Sequence, residues 1–346
     1  MNDQGGDAVR VDFDRPADAM YNDAELAFRL ELPVLGIPVR FESNSAQVID
    51  AVRVSFGAWE RMLAHPDLLE KDMARVRLFV HDGEEEPGVH APLHYRFPDS
   101  HRLLVSTRGS FGVAEIDRME SYAFVTQQLV ADGAHFRYGI VQALTLVLLT
   151  GRDRHPIHAA TVARDDVALL LVGRSATGKS TLSYAAACDG LTVMGEDVAY
   201  AQVHPQLRVW AFPGKIHLSD DARRHFPELG DRVATLQANG KTKLAVDPQT
   251  HRDAPLVASR VRVCLLSRAG GPARLESIEH DEIEAALTEE IESGFDRHDD
   301  TIAEAASQLA SPGGWRLHLS SDPAESVPFL HQMLDAIGGG ERDTRG

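Results

Sequence analysis

Eight consecutive residues, Gly173-Arg174-Ser175-Ala176-Thr177-Gly178-Lys179-Ser180, fit the pattern G-x-x-x-x-G-K-[ST]. Each fixed position has a reason in phosphate chemistry. Gly173 and Gly178 let the backbone turn tightly and bring its N–H groups onto phosphate oxygens. Lys179 supplies a point charge for β- and γ-phosphates, and the Ser180 hydroxyl is a ligand for Mg²⁺. A helix opening near Lys179 aims its positive end at the same place. Context favours the match, because the apolar run Val167–Val172 precedes it and helical residues follow.

Two carboxylates come next in the chain. Glu196 and Asp197 follow the strand-like segment Leu191–Met194. Phosphoryl transfer needs one carboxylate near the metal and one group to take or orient the proton of the attacking hydroxyl. An adjacent acidic pair at a strand end can divide those jobs. Upstream, His158 lies in Pro156-Ile157-His158-Ala159-Ala160, just before the strand that feeds the loop. With sixteen histidines in the chain, type alone says little about this one. The pair His155/His158 has helical spacing but no helix to carry it, since Pro156 intervenes, so it predicts no metal site.

These residues need a scaffold. Val167–Val172 (VALLLV) is continuously apolar, as in a strand buried on both faces. A helix is predicted from Lys179 to Cys188. Strands are predicted at Leu191–Met194, Val198–Val203, Leu207–Phe212, Leu244–Val246, Val257–Leu266 and Trp315–Leu319. Helices are predicted at Asp281–Glu292, Thr301–Leu309 and Ala324–Ile337. Upstream, Val39–Phe41, Arg75–Val80 and Arg102–Ser106 read as strands. Ser45–Phe56 reads as a helix, with Ser43 or Ser45 available to cap it. Asp82–Gly88 is an acidic turn, and residues 121–149 read as one or two apolar helices.

Length and composition set the outer limits. The 346 residues, 43% hydrophobic and 25% charged, are enough for two globular domains. The formal net charge of −17 repels phosphate backbones and anionic lipid, which argues against nucleic-acid and membrane partners. Two cysteines, Cys188 and Cys264, each in an apolar stretch, are expected to be buried thiols in a reducing compartment. The polar, acidic N-terminus is unlike a signal peptide. The longest apolar stretch, near Ile140–Leu149, is well short of a membrane span. A cytoplasmic protein is the expectation.

The combination of histidine, phosphate loop and acidic pair resembles the HPr kinase/phosphorylase family. There a histidine, a strand, G-x-S-x-x-G-K-S, a helix and a strand ending in two aspartates follow one another. The separations agree: 21 residues from His158 to Lys179 and 18 from Lys179 to Asp197. The likeness covers residues 155–215 well and the rest of the C-terminal half loosely. By position it implies that Asp197 takes the hydroxyl proton, that Glu196 serves the metal, and that His158 is the active-site histidine. Two departures stand out. Glu196 replaces an aspartate, and the family's Glu-x-Arg-Gly segment, which handles the protein substrate and the phosphorylase reaction, has no counterpart. The chain is more similar to HPr-kinase-related proteins of peptide-modification systems, including lasso-peptide tailoring kinases. Those share a β-rich N-terminal region and imply a peptide serine as acceptor.

The expectation is therefore an α/β protein, with a P-loop, HPr kinase/phosphoenolpyruvate carboxykinase-like domain over residues 121–338. A smaller α+β domain over 21–120 precedes it, with a ragged segment at 1–20 and a tail at 339–346. The catalytic residues are predicted to be Asp197, His158 and Lys179. ATP contacts are predicted from Gly173, Arg174, Ser175, Ala176, Thr177, Gly178, Lys179, Ser180 and Thr181. Mg²⁺ is assigned to Ser180 and Glu196. The segment Asn239-Gly240-Lys241-Thr242-Lys243-Leu244 is either a cationic addition to the phosphate site or a solvated turn. The partner is a peptide or small protein bearing a hydroxyl, and the chain is a candidate homo-oligomer. Other readings stay open: an ATP-binding or ATP-hydrolysing regulator, a small-molecule kinase, or a carboxykinase relative. A recruiting role for the N-terminal region is compatible with the first choice.

Overall fold

The computed structural model describes residues 25–85, 90–236, 242–247, 255–268, 270–289 and 299–339. The N-terminal part is built on seven strands: β1 (Phe28–Val34), β2 (Ile37–Ser43), β3 (Ala74–His81), β4 (His94–Asp99), β5 (Arg102–Ser106), β6 (Phe111–Glu115) and β7 (Glu120–Thr126). They form one sheet in the order β1-β2-β3-β7-β6-β5-β4. β3 lies parallel to both β2 and β7, and the other pairs are antiparallel. Side chains alternate across the sheet, so one face collects Val39, Phe41, Val76, Leu78, Ala123 and Val125.

That face is covered by α1 (Ala46–Phe56) and by the helical run α2 (Gln127–Ala131), α3 (Gly133–Phe136) and α4 (Ala143–Thr150), with a π-helical stretch at Arg137–Gln142. Ile140, Leu144 and Leu148 join the same core. Two expectations change here. Glu120–Thr126 is a strand, because ESYAFVT alternates buried and half-buried residues in a β-rich composition. Residues 127–150 pack on the N-terminal sheet, so the expected boundary at 120/121 falls inside β7 and cuts through one core. Ser45 is the N-cap residue of α1 without a side-chain cap. Ser43 donates to the Leu78 carbonyl and accepts from the Ser45 amide instead.

The chain then forms β8 (His155–Ile157), β9 (Ala159–Arg164), β10 (Val167–Val172), α5 (Lys179–Cys188), β11 (Thr192–Gly195), β12 (Ala199–Gln202), β13 (Arg208–Ala211), β14 (Ile216–Leu218), β15 (Thr235–Leu236), β16 (Thr242–Val246), β17 (Val257–Ala258), β18 (Arg260–Ser267) and β19 (Arg274–Ile278). After these come α6 (His280–Glu289), α7 (Asp299–Ala310), β20 (Gly314–His318) and α8 (Val327–Gly339). A six-stranded sheet runs β11-β9-β10-β18-β20-β19. β10, β18 and β20 are mutually parallel, and β9 is antiparallel to β10. A four-stranded sheet, β17-β13-β12-β8, and a three-stranded one, β14-β16-β15, complete the mixed α/β architecture.

All six residues of β10 are buried, as the apolar run predicts. Leu169 and Leu171 face a core shared with Leu182 of α5 and with Leu330 and Met333 of α8. Ala168, Leu170 and Val172 face another, shared with Ile283 of α6, Ala306 of α7 and Val209 of β13. A fully buried Leu or Val contributes about 1.5–3 kcal/mol, so the strand that ends at Gly173 is a rigid mount.

Among the described residues no helix is long and apolar enough to cross a membrane. Both cysteines are free thiols. Cys264 is buried, and burial pushes its thiol up to about 12. Cys188 corrects the expectation: it is exposed at the last turn of α5, with its Sγ 3.7 Å from Glu228 Oε1. Burial and the nearby Glu228 carboxylate still raise its pKa.

Candidate phosphate-binding site

The loop follows β10 directly. An added Cβ on Gly173 would lie 3.2 Å from the Leu266 carbonyl of the neighbouring parallel strand, so a side chain there is crowded. Ala176 has φ 67°, a left-handed conformation rare for a residue with a Cβ and a mark of a strained loop. Thr177 closes the turn: its amide and its hydroxyl donate to the Arg174 carbonyl at 3.1 and 2.6 Å. Gly178, the N-cap of α5, has φ 120°, which favours glycine. α5 begins at Lys179, and the first amides of a helix have no carbonyl partners within the helix itself.

Lys179 is 92% buried and its Nζ donates to the Gly173 carbonyl, spanning the loop. Ser180, half-buried on the first turn, donates through Oγ to Glu196 Oε1. Glu196 is only 8% exposed, and its second oxygen is 3.0 Å from His217 Nδ1. It follows β11, which carries a register shift between Val193 and Gly195. A bulge of that kind re-aims the chain. Gly195 cannot carry a side chain there, because a Cβ would sit 2.9 Å from the Phe212 carbonyl.

Register explains how the histidine reaches the acids. Ile157 pairs with Ala199, and Ala159 pairs with Val172. His158 therefore sits where the chain passes from the four-stranded sheet into the six-stranded one, level with the start of the loop. Its Nδ1 is 3.7 Å from Asp197 Oδ1. The Asp197 side chain is 75% exposed, while His158 is 25% exposed. Two contacts thus stand at neighbouring positions, Ser180 with Glu196 and His158 with Asp197, while Lys179 reaches back to the Gly173 carbonyl. His155 stands apart, its Nε2 2.8 Å from Asp153 Oδ1.

Other assignments are placed differently. Arg174 is exposed and its guanidinium donates to Glu289 at 3.2 Å, turned toward the end of α6. Ser175 and Ala176 are exposed, so these three can meet phosphate through their backbone. Thr181 faces a neighbouring cleft. Asn239, Gly240 and Lys241 lie outside the described residues. Lys243 is on β16, whose partner β14 carries His217.

Two residues escape the sequence reading. His217 sits in a three-residue strand, too short for a pattern, 21 residues after Glu196. Arg268 follows β18, and its Nε donates to the Thr177 carbonyl at 2.7 Å. A basic residue just past an apolar strand was the available signal, but only strand pairing puts that strand beside β10.

The cleft has a volume of about 240 Å³ and opens between Gly178, Thr181 and Leu182 on one wall and Asp221, Arg224, His225, Arg268, Leu319, Ser320, Ser321 and Pro323 around the others. The Ser219 hydroxyl and the Arg224 guanidinium hold the Asp221 carboxyl below its usual range.

Among the described residues no group of three or more His, Cys, Asp or Glu side chains forms a metal cage. Mg²⁺ in phosphate chemistry is held differently, by one or two protein oxygens plus phosphates and water. The Ser180 hydroxyl beside the Glu196 carboxylate is a donor set of that kind.

No protein-family model matches the chain, and no curated protein matches it. Among solved structures, the chain is similar to the Hpr(Ser) kinase/phosphatase from Coxiella burnetii at 15% identity and a TM-score of 0.28. That match covers 55% of this chain and 94% of the other.

Proposed function

We propose that this protein is an ATP- and Mg²⁺-dependent kinase that moves the γ-phosphoryl group to a hydroxyl, on a serine of a peptide or small protein. The single observation that carries the reading is the hydrogen bond from Ser180 to the buried Glu196, across the helix start from Lys179. The buried Glu196 carboxylate is held by the Ser180 hydroxyl and the His217 imidazole, and a carboxylate beside the P-loop hydroxyl is how such loops hold a metal. A bound Mg²⁺ supplies charge neutralisation for the phosphate oxygens.

The chain's own residues supply the rest. Backbone amides from Gly173 to Ser180 and the first turn of α5 bind phosphate oxygens. Lys179 moves from the Gly173 carbonyl to the β/γ-phosphates and stabilises charge that develops during transfer. Ser180 and Glu196 would hold the metal, and His217 positions Glu196. Asp197, exposed and next to the buried pair, accepts the proton of the incoming hydroxyl. His158, within 3.7 Å, positions Asp197. The exposure of Asp197 suits a bulky acceptor such as a peptide, which must bring its hydroxyl in from solvent.

The test is incubation with ATP, Mg²⁺ and serine-containing peptides, followed by mass spectrometry. Phosphopeptide that disappears with Lys179→Ala is the expected result. ADP released with no phosphopeptide would favour an ATP-hydrolysing regulator and overturn the kinase reading.

A further inference from the structure

The cleft beside Thr181 shares Gly178 and Thr181 with the loop, but its other walls have no part in the chemistry described so far. Its lining does not include His158, Glu196 or Asp197, so it is poorly placed for a hydroxyl acceptor. Its position along the loop matters more. Ser180 and Thr181 are successive residues on α5, so their side chains diverge by about 100° around the helix. Ser180 points to Glu196, the end at which the proposed function puts the γ-phosphate. Thr181 points to the cleft.

From this we infer that the cleft takes the nucleoside of the triphosphate, an assignment that rests on the phosphate-loop reading. A triphosphate with its γ-end at Lys179 and Glu196 carries its nucleoside at the other end, and among the described residues the cleft is a concavity on that side of the loop. At about 240 Å³ it is below the ~300 Å³ of the smallest pockets for whole ligands, as befits a site for one part of a longer molecule. The lining suits a polar heterocycle on a sugar. The Arg268 guanidinium is pinned through Nε to the Thr177 carbonyl and lies 3.0 Å from where a Cβ on Gly178 would stand. It offers a flat cation on which a base can stack. Leu319 and Pro323 provide apolar surface, while Ser320, Ser321 and the Asp221 carboxylate provide hydroxyl partners. Arg268 thus ties base recognition to the shape of the phosphate loop.

The experiment is calorimetric titration with Mg·ATP and with Mg·tripolyphosphate, which has the phosphates and no nucleoside. The proteins are wild type, Lys179→Ala and Ser321→Trp, the last filling the cleft from an exposed position. Wild type is expected to bind ATP at least ~tenfold more tightly than tripolyphosphate, a difference of about 1.4 kcal/mol. Ser321→Trp should lose that preference while keeping its tripolyphosphate affinity. Equal wild-type affinities for the two ligands, or an unchanged preference in Ser321→Trp, would overturn the nucleoside site and leave the phosphate reading standing. If wild type binds neither ligand, or Lys179→Ala binds both as well as wild type does, the phosphate reading falls and the cleft assignment with it.

Discussion

Two glutamates are almost equally buried in this molecule and live in opposite surroundings. Glu85, in the loop after β3, is 6% exposed and accepts hydrogen bonds from the Ser110, Thr107 and Thr126 hydroxyls and from the Gly109 amide. Glu196, at the phosphate loop, is 8% exposed and has one hydroxyl, Ser180, and one imidazole, His217. The first carboxylate ties the loop after β3 to the β5–β6 turn and to the N-cap of α2. The second adjoins an open helix start, a buried ammonium and an exposed aspartate. A carboxylate whose partners are all hydroxyls and amides of the surrounding fold is a structural tie. One whose partner hydroxyl lies on the proposed phosphate loop is, on that reading, a tool. The difference is one of surroundings, since depth of burial is nearly the same.

The contrast can be broken by substitution, beginning at the phosphate loop. Lys179→Ala is expected to abolish ATP turnover without unfolding the chain, read by ADP release alongside circular dichroism; full turnover would remove the loop from the chemistry. Asp197→Asn should retain ATP binding and lose transfer by roughly 10²–10⁴, the range of a general base. An unaltered transfer rate in that variant rules the assignment out. Glu196→Gln keeps the shape and loses the charge. The Mg²⁺ concentration needed for half-maximal turnover should rise by roughly 10- to 100-fold, as when metal-site support is lost, while thermal stability stays level or improves.

Glu85→Gln should do the reverse. Turnover is spared, and stability falls by about 1–3 kcal/mol for a buried acceptor network left short, measured by denaturant titration. Burial pushes the Glu85 carboxyl up, but the Ser110, Thr107 and Thr126 hydroxyls and the Gly109 amide outweigh it, so its pKa lies below the ordinary 4.5. A lowered folded-state pKa means stability that is complete above about pH 4.5 and lost as pH falls through the folded value. Acid unfolding should therefore be steeper in wild type than in Glu85→Gln. Equal steepness would show that the cage does not hold the charge.

Much of the proposed phosphate site is legible in the chain because its residues are local. Gly173 to Ser180 are contiguous, and the apolar run before them and the helix after them follow from residue type. Glu196 and Asp197 end a strand that could be read from Leu191–Met194. His158 came from the family likeness, and its 3.7 Å approach to Asp197 depends on two strand pairings that no local pattern encodes. His217, Arg268 and the cleft were invisible for the same reason: they come from β14, from the end of β18 and from segments after β14 and β20.

The fold divides similarly. VALLLV and RVRLFV declare themselves by apolar run and by alternation. ESYAFVT was lost by being read together with the apolar helices that follow it. Those helices, Gln127–Thr150, are expected in the C-terminal domain on sequence, and packing assigns them to the N-terminal sheet. Glu85 is the sharpest case: an acidic turn reads as solvated, and its burial depends on hydroxyls 22 to 41 residues away.

The most direct measurement is Mg·ATP affinity, for wild type and Lys179→Ala, with and without Mg²⁺. Affinity that Mg²⁺ strengthens in wild type, and that collapses in the variant, is the expected result. Equal affinity in the two proteins, indifferent to Mg²⁺, would contradict a phosphate site at Gly173–Ser180.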